Sequence, residues 1–121
     1  MKIRIRGNSI RFRLTKTEVE TLFKTGEIEE TTQIKNKRFG YRVKLVDHTV
    51  VLDASFEEDT ISLFLSKSKS QGWPTNAVVG FNTIQKNEDG STLSLLLEKD
   101  FVCMDERVED QSDNYPNPKS A

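Results

Sequence analysis

The sequence predicts an α+β domain, mainly an antiparallel β-sheet of seven to eight strands, with one clear helix and one short one. Three observations lead there. Apolar and polar residues alternate along most of the chain, as strands with one buried face require. Short polar turns, rather than long crossovers, separate the alternating runs. One stretch instead carries helical spacing between a capping signal and a glycine.

The elements follow in order. Ile3 and Ile5 alternate with Lys2, Arg4 and Arg6; after Gly7-Asn8-Ser9, Ile10, Phe12 and Leu14 alternate with Arg11 and Arg13. Alternation on both sides of a Gly-Asn turn predicts a hairpin with an aliphatic face and a cationic face. Thr15-Lys16-Thr17-Glu18 reads as a capping box, with Thr15 as N-cap and Glu18 three residues on. Val19, Leu22 and Phe23 keep helical spacing and Gly26 stands where a C-cap glycine belongs, so a helix is expected over 16–25. Alternation then resumes through Ile28-Thr32-Ile34, Tyr41-Val43-Leu45, Val50-Leu52-Ala54-Phe56, Ile61-Leu63-Leu65, Val78 to Ile84 and Leu93-Leu95-Leu97, each a strand. Asp47-His48, Glu57-Glu58-Asp59 and Asn87-Glu88-Asp89-Gly90 supply turns.

At 121 residues, one domain is the natural count. It is expected over 1–104, followed by an extended or mobile acidic tail, rich in Asn and Pro, over 105–121. Residues 1–50 hold 12 Lys+Arg against 6 Asp+Glu, whereas residues 51–121 hold 6 against 13. Two halves so charged either fold onto one another and neutralise, or leave a basic patch for a polyanion. The lone Cys103 excludes an internal disulfide framework, and neither a signal peptide nor a membrane-length apolar run is present. A cytoplasmic location is the simplest expectation.

An internal similarity runs at an offset of 51. Ile10-Arg11-Phe12-Arg13-Leu14-Thr15-Lys16-Thr17 aligns with Ile61-Ser62-Leu63-Phe64-Leu65-Ser66-Lys67-Ser68. Without a gap, Leu22 falls on Trp73, Ile28 on Val79 and Thr32 on Thr83. The match reads either as two strand-helix-strand repeats or as chance similarity of common strand residues. Gly72 and Pro74 would make the second helix the poorer one.

Two resemblances follow. Gly7 to Thr15, a helix, Gly26 and the strand from Glu27 resemble the DNA-binding hairpin of the AbrB/MazE family over residues 2–34. That resemblance implies an intertwined homodimer touching DNA through Arg4, Arg6, Arg11 and Arg13; here the chain's own second half could fill the partner's place. The start, Met1-Lys2-Ile3-Arg4-Ile5-Arg6-Gly7-Asn8-Ser9-Ile10-Arg11, resembles that of a family of uncharacterised bacterial proteins common in Bacteroidetes. Near the end, Glu98 to Cys103, Glu109-Asp110 and Pro116-Asn117-Pro118 carry the same likeness. It implies a small bacterial cytosolic protein without specifying a mechanism.

The residue inventory narrows the chemistry. One Cys and one His cannot make a Cys/His metal site within one chain. Cys103 follows Phe101-Val102 and reads as a small core hydrophobe rather than a nucleophile paired with His48, which is expected exposed at a turn. Neither GxSxG, GxGxxG nor a phosphate loop occurs. Asp100, Asp105, Glu106, Glu109, Asp110 and Asp113 form an acidic cluster, but Tyr115 and Ala121 occupy the Gly and Glu places of a calcium loop begun at Asp110. The cluster therefore reads as a solvated segment or a strap over the basic hairpin. No catalytic residue, metal or cofactor is expected.

Lys2, Arg4, Arg6, Arg11 and Arg13 remain as the candidate binding residues. Like charges on paired strands repel, so they need compensation. Glu27, Glu29 or the acidic tail would supply it internally; a phosphate backbone would supply it externally. The expected function is a non-catalytic binding or interaction module, or alternatively DNA binding through the basic hairpin. Its partner is a protein or a nucleic acid rather than a membrane, and the chain is a monomer or a homodimer.

Overall fold

A computed structural model describes residues 1–48, 50–101 and 113–116 of the chain. Strands β1 (Lys2–Ile5) and β2 (Ser9–Leu14) form the expected hairpin. Its turn is closed by the Arg6 N–H donating to the Ser9 carbonyl at 3.0 Å, with Gly7 at φ +54°. Helix α1 (Lys16–Thr25) starts and stops as the capping residues dictate. The Thr15 hydroxyl accepts from the Glu18 N–H, the Glu18 carboxylate accepts from the Thr15 N–H, and left-handed Gly26 donates to the Leu22 carbonyl. Then come β3 (Glu27–Ile34), β4 (Lys37–Val46), β5 (Leu52–Glu57), β6 (Thr60–Ser66), β7 (Gly80–Lys86) and β8 (Thr92–Lys99).

The eight strands make two mixed sheets, ordered β1-β2-β8-β7 and β3-β4-β6-β5. Four of the six strand pairings are antiparallel, in line with a mainly antiparallel expectation. The strands form two sheets rather than one, however, and the centre of each is parallel, β2 with β8 and β4 with β6. Turn chemistry fixes each hairpin locally, but it is silent on how two hairpins meet. Here each sheet joins one hairpin from each half of the chain, side by side and pointing the same way.

This arrangement bears directly on the internal similarity. Replacing β1, β2, β3 and β4 by β5, β6, β7 and β8, and the reverse, converts one sheet order into the other. Register follows too: Arg4↔Arg11 and Ile5↔Ile10 have counterparts in Ser55↔Ser62 and Phe56↔Ile61, again 51 residues on. The two halves are therefore topological copies, wound together so that neither makes a sheet alone. The ungapped alignment fails after the helix. Through the central parallel pairs, Tyr41 corresponds to Leu95 and Ile28 to Phe81, not to Val79. The second, short helix is likewise absent: residues 67–75 form consecutive turns, with Gly72 at φ +80°. Within them Trp73, which stands 51 residues after Leu22, is fully buried, as Leu22 is.

The core lies between the sheets. Phe12, Leu14, Leu63, Leu65, Leu95 and Leu97 from the four central strands' inner faces, with Val43, are sealed from solvent. Each such side chain contributes about 1.5–3 kcal/mol by burial. One pair of sheet edges is stitched by Gln85, whose amide donates to the Ala54 carbonyl and accepts from the Ala54 N–H at 3.0 and 2.7 Å. At the opposite edges the Met1 amino group bridges Glu18 on α1 and Glu30 on β3. Of the expected tail, residues 113–116 lie against the domain: the Tyr115 N–H donates to the Asp100 carbonyl and its ring packs on Phe101. Among the described residues no helix is long and apolar enough to cross a membrane.

Candidate nucleic-acid interface

Strand alternation sends Lys2, Arg4, Arg11 and Arg13 to the outer face of the first sheet, while Ile3, Phe12 and Leu14 point inward. Lys2 stands opposite Arg13 and Arg4 opposite Arg11, so like charges face each other twice across one hairpin. Arg6 continues the row at the turn and shares a shallow depression of about 170 Å³ with Arg4, Ser9, Arg11 and Leu96. A neighbouring hollow of about 300 Å³ is lined by Lys2, Ile3, Arg4, Arg11 and Arg13. The structure thus brings the five sequence-predicted residues onto one continuous surface.

The internal counter-charges are the expected ones only in part: Asp100 of the acidic cluster is among them, and Glu27 is not. Glu27 lies in the other sheet and pairs with Arg42 at 3.2 Å. Instead, Glu98 arrives on β8, which the parallel pairing places directly beside Arg13. Its Oε1 lies 2.6 Å from Arg11 Nε and 4.0 Å from Arg13 Nε. Asp100, one residue past β8, reaches Lys2 Nζ at 3.1 Å. Glu98 went unrecognised because the β2–β8 pairing is not written in either strand's local pattern; the half-chain similarity was the signal that implied it.

Glu98 thus serves both Arg11 and Arg13 among the described residues, and Asp100 serves Lys2. Among the described residues, Arg4 and Arg6 are exposed and have no carboxylate partner. The sheet holds their strand rigidly, since Ile3 packs on the core beneath. Guanidinium groups fixed on a pleated surface at about two-residue spacing, roughly 6.6–6.8 Å apart, can grip successive phosphates or carboxylates bidentately.

Other candidates fare differently. His48 is half-buried rather than exposed, with both ring nitrogens enclosed and without a hydrogen-bond partner among the described residues. Cys103, Asp105, Glu106, Glu109 and Asp110 lie outside the described residues. Asp113 sits at the start of α1, where its carboxylate accepts from the Thr17 hydroxyl at 2.9 Å. Hydrogen bonds from Thr15 and Thr17 hold its pKa below the usual carboxylate range. No group of three or more metal-ligating side chains occurs among the described residues.

Lys99 was not singled out by the sequence, yet it is only 4% exposed. Its Nζ donates to the Asn76 carbonyl at 2.7 Å and stands 5.7 and 5.0 Å from the ring centres of Trp73 and Tyr115. Burial pushes its pKa down. The same burial pushes the Tyr115 phenol up.

Neither a curated protein nor a solved structure matches the chain. One family model does, over residues 1–119, nearly the full length. The chain belongs to DUF7009, a family of unknown function.

Proposed function

We propose that this protein is a non-catalytic binding module whose ligand is the phosphate backbone of a nucleic acid, held on the outer face of the β1–β2 hairpin. The observation that carries the reading is the exposed pair Arg4 and Arg6, which take no carboxylate partner among the described residues, beside Arg11 and Arg13 that share Glu98. The wound-together halves also agree with the AbrB/MazE likeness, in which two such units make one body. A bacterial, cytoplasmic protein is part of the same reading.

The likeness breaks at one informative point. At offset 51, Lys2, Arg4, Arg6, Arg11 and Arg13 correspond to Asp53, Ser55, Glu57, Ser62 and Phe64. Only one of the two hairpins is basic. The proposed contact is thus one-sided and backbone-directed, without the two-fold symmetry that would match a palindromic site.

Fluorescence-anisotropy titration of labelled duplex DNA tests this. Binding is expected at low salt and weakens with a slope of roughly 0.9 per phosphate neutralised. Replacing Arg4 and Arg11 with Gln is expected to cost about tenfold or more in affinity at low salt, equally for scrambled sequences. Absence of binding by the wild-type chain at low salt removes the proposal.

A further inference from the structure

All four hairpin turns lie at one end of the molecule, around an apolar groove of about 450 Å³. Ile5 and Ile10 flank the β1–β2 turn, Phe56 and Ile61 the β5–β6 turn, Phe39 follows the β3–β4 turn and Leu93 the β7–β8 turn. These six are three pairs exchanged by the half-to-half correspondence: Ile5 with Phe56, Ile10 with Ile61, and Phe39 with Leu93. The groove therefore sits on the pseudo-two-fold axis. It is unfinished as a core, since Ile5 is 56% and Phe56 63% exposed.

The rim breaks the symmetry of the floor. Turns from the first half carry Arg6, Lys35, Lys37 and Arg38; turns from the second half carry Glu57, Glu58, Asp59, Glu88 and Asp89. Sheet order places the two basic turns next to each other across the β1/β3 edges, and the two acidic turns next to each other across the β5/β7 edges. One half of the rim is thus basic and the other acidic. None of these nine side chains takes an ion pair among the described residues.

We infer that this end of the molecule is a homodimer interface, its occupant being a second copy of the chain. Two copies meeting face to face about a two-fold axis can be turned in two principal ways. One sets basic turns on basic and acidic on acidic, which like-charge repulsion opposes. The other lays the basic half of each rim on the acidic half of its partner and closes both grooves over each other. In that isologous arrangement the Lys35-to-Arg38 turn faces the partner's Glu57-to-Asp59 turn, and the Arg6 turn faces the partner's Glu88-Asp89 turn, each contact occurring twice. Apolar centre and charged rim are the usual anatomy of a protein interface. The arrangement does not depend on nucleic-acid binding: it shares only Arg6 with the proposed phosphate surface, and Phe56, Lys37 and Glu58 test it without touching Arg4, Arg6 or Arg11.

Sedimentation velocity of the full chain, free of nucleic acid, tests the inference over a wide range of concentration. A reversible equilibrium between the 13.9 kDa chain and twice that mass is expected, weakening as salt screens the rim. Phe56→Ser is expected to raise the dimer dissociation constant about a hundredfold, because it removes a central anchor. Lys37→Glu and Glu58→Lys are each expected to weaken association about tenfold, and the two together on one chain to restore it. Thermal melts keep unfolded variants out of the comparison, and Phe56→Leu serves as the folded apolar control. The inference is overturned if the wild-type chain stays monomeric at every concentration, or if its dimer is indifferent to Phe56→Ser and to both charge reversals.

Discussion

The β1–β2 and β5–β6 hairpins have the same length of turn, the same register and the same place in their sheets, yet their outer faces have opposite chemistry. Inward, Ile5, Ile10, Phe12 and Leu14 correspond to Phe56, Ile61, Leu63 and Leu65. Outward, three of the five basic positions of the first hairpin give way to serine or phenylalanine in the second and two to a carboxylate. The inward set is constrained by packing and so stays apolar on both sides of the pseudo-axis. The outward set is not bound by core packing, and it is there that the copies diverge. The segments after each hairpin repeat the lesson with backbone: α1 and the turns at 67–75 differ in conformation, yet each buries one large apolar side chain completely, Leu22 and Trp73.

That last pair is the comparison's largest lever. Leu22→Ala and Trp73→Ala both remove a fully buried side chain, so each is expected to cost about 3–5 kcal/mol in urea unfolding. Trp73 should sit at the upper end. Its loss also strands the Val78 carbonyl that its Nε1 meets at 2.8 Å, and removes the ring packed edge-on against Phe81 at 5.1 Å. A Trp73→Ala cost under about 1 kcal/mol would show that the turn segment carries its own fold and that the two places are not equivalent.

How much of this was legible in the sequence divides along the same line. Hairpins, helix and caps were legible because their signals are local: Gly7-Asn8, the Thr15/Glu18 box and Gly26 each act within a few residues. Strand ends were less so. The apolar run beginning at Val78 promised a strand there, but pairing in β7 starts at Gly80, where a Cβ would lie 2.2 Å from the Leu97 carbonyl oxygen. Val78 and Val79 remain exposed, the former receiving the Trp73 indole on its carbonyl. The parallel joins β2–β8 and β4–β6 were not legible at all from either strand. They are nonlocal, and only the offset similarity hinted that one half must complete the other. The alternation was enough to put the candidate residues on one face of the hairpin, whereas their counter-ion Glu98 comes from the nonlocal join.

Lys99 sharpens the contrast between cations on an outer face and a cation held inside. Its ammonium has aromatic rings and one carbonyl for company, with no carboxylate partner among the described residues. Because burial lowers its pKa in the folded state, the unfolded chain binds the proton more tightly, and wild-type stability should rise as pH climbs through the interval between the folded and unfolded values. Tyr115, whose phenol is raised by the same burial, pulls the other way as it titrates. The comparison is therefore best made on a Tyr115→Phe background, itself expected to be neutral or stabilising by up to about 1 kcal/mol, since the buried hydroxyl has no partner among the described residues. There, Lys99→Met should flatten the alkaline gain and change stability at pH 7 by about 1 kcal/mol or less. A gain that persists in Lys99→Met would assign it to another group.

The smallest expected effect lies at the start of the helix, where the halves solve one problem with different partners. The Lys16 N–H donates to the Asp113 carbonyl, and its counterpart at offset 51, the Lys67 N–H, donates to the Val46 carbonyl. Only the first half adds a charge there: the Asp113 carboxylate meets the Thr17 hydroxyl and N–H at the positive end of α1. Its pKa is lowered by hydrogen bonds from Thr15 and Thr17, so the stabilisation is complete above the unfolded carboxylate value and is lost as pH falls through the lower folded one. The group is exposed and screened, which limits the effect of Asp113→Asn to about 0.5 kcal/mol at pH 7. Denaturation curves of wild type and variant should converge in acid, below the folded pKa. A difference that survives there would mean that the segment's backbone docking, not its carboxylate, had been disturbed, and the helix start would then match its counterpart in the second half more closely than the side chains suggest.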